Sequence, residues 1–95
     1  MNAEELTSKY IVSAEKVLGG MWQSDASVTV DEKCAADLIS YAKAYLEDAK
    51  YYKAQKKFET SLVSIAYCEG LLDALRLIGA VKFEWPTNAE TKRSY

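Results

Sequence analysis

The chain contains no histidine. That removes the imidazole acid–base of common hydrolytic and ribonucleolytic sites, the histidine-based triads and most zinc sites in one step. Proline occurs once and glycine four times, too few for a fold of many tight turns. The two cysteines, Cys34 and Cys68, form neither a disulfide framework nor a paired-cysteine zinc motif. No uninterrupted apolar run of ~18 residues is present, so no membrane span is expected. No apolar stretch follows a basic start, so no signal peptide is expected either. A large excess of one charge is also missing. Twelve basic residues stand against fourteen acidic ones, net −2, which gives no global attraction to nucleic acid or anionic lipid. These absences point to a cytoplasmic chain with no metal, no cofactor and no catalytic constellation, hence not an enzyme.

What is present is helix. Ninety-five residues make one small domain. The apolar fraction of 49% leans on alanine and tyrosine rather than valine and isoleucine, which suits packed helices better than sheet. Asn2 to Glu5 has the form of a capping box. Leu6, Tyr10, Ala14, Val17 and Met21 then recur at helical spacing. A first helix is predicted over about 3–18, ending where Gly19-Gly20 can take the left-handed conformation. Met21 to Val30 reads as a plain interhelical loop, from which Trp22, Val28 and Val30 could also tuck under the bundle. Thr29 or Asp31 caps a second helix, about 31–52, with Ala35, Leu38, Ala42, Tyr45, Ala49 and Tyr52 on one line. A third is predicted over about 56–79. Beyond it Val81, Phe83 and Trp85 alternate with polar residues until Pro86 stops any regular element. Phe83 and Trp85 are expected to cover one end of the core. Residues 86–95 are expected to form a polar, flexible tail. The predicted fold is an all-α, three-helix up-and-down antiparallel bundle occupying residues 1–85.

A reversal near residues 53–54 places Ala35 opposite Leu72, Ala42 opposite Ile65, Tyr45 opposite Leu62 and Ala49 opposite Phe58. Small residues then face large ones, as close packing requires. Cys34 and Cys68 lie at different levels in that register and are expected to be free, buried or half-buried thiols.

Three features of the third helix and the turn before it carry candidate chemistry. Glu69, Asp73 and Arg76 share one stripe, although the line through Phe58, Leu62 and Ile65 calls for hydrophobes there. The stripe reads as a polar groove for a cationic group or an anion, or as an ion-pair network in which Arg76 also reaches Asp31 or Glu32. An unpaired carboxylate inside the seam would cost several kcal/mol. The third helix is therefore expected to turn so that Cys68, Leu71, Leu72 and Leu75 take over the core and the stripe borders a groove. Lys50, Lys53, Lys56 and Lys57, interleaved with Tyr51, Tyr52 and Phe58, read as a solvated turn or as an anion-binding turn. Gly70, inside a helix at a cost of ~1 kcal/mol relative to alanine, marks an expected close approach by the first helix or by a second subunit.

The segment Ile65-Ala-Tyr-Cys-Glu-Gly-Leu-Leu-Asp-Ala-Leu-Arg76, followed by Leu77-Ile-Gly79, resembles the archaeal family known as domain of unknown function 357. The resemblance is most specific over Tyr67, Gly70, Leu72, Asp73, Ala74 and Gly79 and runs from about Leu38 to Glu84. It implies a three-helix up-and-down bundle of archaeal origin, and it names no activity. One departure stands out: where that family tends to have Gly-Asp before the aromatic, this chain has Lys56-Lys57.

Two functional expectations follow. The first is a non-catalytic helical interaction module, acting by self-association or by docking a protein partner. The alternative is an accessory nucleic-acid or nucleotide-binding domain that uses the lysine turn, with weak binding.

Overall fold

The computed structural model describes residues 2–86. It contains three α-helices: α1 (Ala3–Gly20), α2 (Glu32–Ala54) and α3 (Phe58–Leu77). The chain is all-α, as its patterning predicts, and of the polar, flexible tail expected over 86–95, residues 87–95 lie outside the described residues.

Each helix begins where the sequence signals it, with one exception. The Asn2 side chain accepts the Glu5 backbone N–H at 2.8 Å, and the Asp31 side chain accepts that of Cys34 at 2.8 Å. These bonds satisfy donors left open in a first helical turn. Helix α3 has Lys57 at its N-cap, and no side chain caps it.

The helix ends depart from expectation at α1. Gly19 and Gly20 are both helical, and the chain leaves α1 through Met21 in an extended conformation, with its N–H bonded to the Val17 carbonyl at 2.9 Å. The left-handed exits lie at the other two ends. Gly79 has φ +80°; its N–H bonds the Arg76 carbonyl, and the next, from Ala80, bonds that of Leu75. Lys56 has φ +62°; its N–H bonds the Lys53 carbonyl, and the N–H of Lys57 bonds that of Tyr52. Both are Schellman terminations. Glycine takes this conformation freely, whereas a lysine pays for its Cβ.

Helices α2 and α3 pack against each other, and α1 contacts neither. The seam is narrow. Its buried members are Ala42 and Ala49 on α2 and Ser64, Cys68 and Leu75 on α3. The Ser61 hydroxyl donates to the Ala49 carbonyl at 2.7 Å, and the Tyr45 and Tyr67 rings lie 4.3 Å apart. Ser61, rather than Phe58, therefore sits beside Ala49. The turn occupies Gln55–Lys57, later than the predicted reversal, and that displaces the register. The packing face is displaced too. Phe58 is 61% and Leu62 68% exposed, so neither lies in the core. Ile65 and Leu72 remain half-buried at the edge of the seam.

Further corrections concern the periphery. Trp22 is 88% exposed, and Val28 and Val30 are also exposed, so the connection does not tuck under the helix pair. Cys34 is exposed and Cys68 buried, and both are free thiols. Burial, with a smaller contribution from nearby Glu69, pushes the Cys68 thiol pKa up, which keeps it protonated and inert.

The turn gives a direct test. Lys56→Gly should stabilise the chain by about 0.5–1 kcal/mol by relieving the left-handed lysine. Lys57→Asp should add about 1 kcal/mol by capping α3. Urea denaturation measures both, and a loss of stability in either variant would contradict this description of the turn.

Candidate functional site

The charged stripe of α3 faces away from the seam. With Cys68 and Leu75 buried and Leu71 and Leu72 half-buried, the second half of α3 packs through the line beside the stripe, as expected. Glu69 is exposed, and Asp73 and Arg76 are half-buried. The Arg76 guanidinium donates twice to Asp73 Oδ1, from Nε at 3.1 Å and from an Nη at 2.8 Å. Neither Asp31 nor Glu32 pairs with Arg76 among the described residues. Asp31 is engaged in capping α2 instead.

A third donor reaches the same carboxylate oxygen, and the sequence pattern did not foretell it. The Trp85 indole N–H lies 3.0 Å from Asp73 Oδ1. Phe83 stacks edge-on against Trp85 with ring centroids 4.9 Å apart, and the Arg76 guanidinium carbon lies 6.0 Å from the Phe83 ring centre. The segment after Gly79 therefore runs back along the side of α3 and clasps the stripe. Phe83 is half-buried beside Arg76, whereas Trp85 stays 40% exposed and does not cover the end of the core as its alternation led one to expect. The signal available in the sequence was an indole donor within chain reach of a carboxylate left without a partner in the seam.

Beside this clasp lies an open depression lined by Glu69, Gly70, Asp73 and Trp85. A side chain at position 70 would meet nothing within 4 Å. Within this chain, then, no helix makes the close approach that Gly70 was expected to serve. Among the described residues, no group of three or more histidine, cysteine, aspartate or glutamate side chains can hold a metal ion. Among the described residues, no helix is long and apolar enough to cross a membrane.

The four lysines lie in different local settings. Lys50 pairs with Glu47 on its own helix at 3.2 Å. Lys53 lies in the last turn of α2, while Lys56 and Lys57 form the turn with their backbone N–H groups spent on α2 carbonyls. An open depression at Lys56, Lys57, Phe58, Glu59 and Thr60 marks the uncapped start of α3.

A protein-family model described as "Protein of unknown function (DUF357)" matches residues 9–81. The chain belongs to that family. The match takes in most of α1, all of α2 and α3, and both Schellman turns. It stops before Phe83 and Trp85, so the clasping aromatics lie outside it while Asp73 and Arg76 lie within it. No curated protein and no solved structure matches the chain.

The hydrogen bonds from Trp85 and then Arg76 hold the Asp73 carboxyl below its ordinary pKa. A carboxyl lowered in the folded state contributes stability above its unfolded pKa and loses it as pH falls through the folded value. With Trp22→Phe leaving Trp85 as sole reporter, indole emission should hold steady from about pH 7 to about pH 4, the ordinary carboxyl range, and shift to the red below it. Asp73→Ala should show the shifted emission at neutral pH. Unchanged emission in that variant would contradict the clasp. Glu69→Gln should change stability by under ~1 kcal/mol, as expected for an exposed group. Arg76→Ala should cost more, because its stem also covers apolar surface.

Proposed function

We propose that this chain is a non-catalytic helical docking module that completes its core by associating with another polypeptide. The observation that supports this is the size of the core. Among the described residues only Ala42, Ala49, Cys68 and Leu75 are buried hydrophobics, and Leu75, at 1% exposure, is the one large side chain fully enclosed. A domain of this length normally buries over ~60% of its unfolded surface. Here Leu6, Tyr10, Ile11, Val17 and Leu18 of α1 and Leu62, Val63 and Leu77 of α3 are exposed. Most helical stability in proteins comes from packing an apolar face rather than from propensity, and none of the 18 residues of α1 is buried, so it too calls for a surface to lie on. Two unbridged thiols suit a reducing compartment, and on this reading the chain works in the cytoplasm.

The uncapped start of α3 favours a second reading. Open N–H groups beside Lys53, Lys56 and Lys57 suit a phosphate, which supports weak binding of nucleic acid or a nucleotide at the turn.

Light-scattering mass measurement on a sizing column, with and without RNA, separates the two. Docking predicts association that RNA leaves unchanged; a monomer that shifts only with RNA would overturn it in favour of the turn. In that case, replacing Lys53, Lys56 and Lys57 with glutamine should reduce both affinity and its salt dependence.

A further inference from the structure

Resting on that docking reading, we propose that the occupant of the outer face of α3 is a second copy of this chain, its α3 lying antiparallel across the first with the two-fold axis at Gly70. At roughly 100° per residue, Val63, Ala66, Gly70, Ala74 and Leu77 fall on the side of α3 opposite Ser64, Cys68 and Leu75. All five are exposed. Their order is self-complementary. Counting outward from Gly70, alanine occurs four residues away in both directions, and a large apolar residue occurs seven away in both directions.

An isologous interface requires that symmetry, because each residue must meet the partner of its mirror position. Antiparallel pairing about Gly70 sets Ala66 level with Ala74 of the other copy and Val63 level with Leu77. Gly70 meets Gly70 at the axis, where a built Cβ has open space around it. Small residues at the crossing let the two backbones approach, and the large ones close the contact at each end. Leu62 and Ile78, both exposed, flank those ends.

Area sets what else must take part. Helix α3 has 20 residues, so it is ~30 Å long and ~10 Å across. One face covers roughly 300 Å² per copy, and the pair ~600 Å², short of the ~1,000 Å² that a specific interface needs. Helix α1, unpacked in this structure, offers a second strip of roughly 270 Å² per copy. Laid along the flank of the α3 pair, it brings the total above ~1,000 Å². The pairing of the α3 helices and the docking of α1 are therefore one event.

The test uses the full chain. In a Cys34→Ser, Cys68→Ala background, Gly70→Cys brings two thiols together at the axis. Mild oxidation should link most of the protein as a covalent dimer. The control Ala74→Cys, whose two thiols lie roughly 12 Å apart along the helices, should link poorly. Without cysteine variants, light scattering should give twice the 10.6 kDa chain mass, and Gly70→Leu should weaken dimerisation at least tenfold while leaving far-UV dichroism helical. A dimer indifferent to Gly70→Leu, or one that links better through position 74, overturns this pairing and leaves the docking reading standing. A monomer at all concentrations, with α1 cross-linking to α3 of its own chain, overturns both.

Discussion

The close approach of α2 to α3 is the constraint on which the rest depends. Ala42 and Ala49 on one helix and Ser64 on the other are buried in the seam, and small side chains there allow the backbones near enough for the Ser61 hydroxyl to reach the Ala49 carbonyl. Such a bond between a side chain and a main-chain acceptor fixes both the rotation and the level of α3. Once it is made, Cys68 and Leu75 must point inward. Phe58 and Leu62 must then point outward, and the carboxylates of Glu69 and Asp73 remain in reach of water. Rotating α3 to bury Phe58 and Leu62 would carry Glu69 and Arg76 toward Leu38, at a desolvation cost of several kcal/mol. The charged stripe and the small residues thus select the same rotation.

Much of this was legible in the sequence. The caps at Asn2 and Asp31 announced two of the helix starts, and the Ala35–Tyr52 line identified the face that α2 buries. The cost of burying an unpaired carboxylate in the seam correctly turned the second half of α3. The register was not legible, because Lys56 adopts a left-handed conformation that the sequence gives no cue for and the turn falls later than the periodicity implies. Nor was the packing of the first half of α3. That helix is apolar on nearly every side, so spacing alone could not choose Ser61 and Ser64 over Phe58 and Leu62. The clasp depends on a contact across twelve residues of chain, from Asp73 to Trp85, and no local pattern encodes it. At the candidate site, the Asp73–Arg76 pair followed from helical spacing, whereas the bonding of the Lys56 and Lys57 N–H groups to α2 carbonyls appeared only with the backbone in place.

The two sides of α3 have different chemistry, and the clasp lies between them. One side packs on α2. Glu69 and Asp73 flank the outer side, where Arg76 pairs with Asp73, Trp85 donates a hydrogen bond to it, and Glu69 stays exposed. With those charges held at the edge, the strip through Gly70 is apolar and open. A short helical pair with one enclosed leucine is a poor domain by itself, since hydrophobic burial must offset roughly 1–2 kcal/mol of backbone entropy per ordered residue. The same pair is a reasonable half of a larger assembly. On the proposed docking, exposed α1 and the outer strip of α3 are two parts of one incomplete core.

That claim is tested most directly by amide hydrogen exchange, read by mass spectrometry across a range of protein concentrations. Exchange reports the free energy of local opening, segment by segment. The α2–α3 seam should be the slowest-exchanging part of the chain at every concentration. Helix α1 should exchange quickly in dilute solution and gain protection as concentration rises. Protection of α1 equal to that of α2 and α3 even at the lowest concentration would contradict the account, because α1 would then complete the core within its own chain.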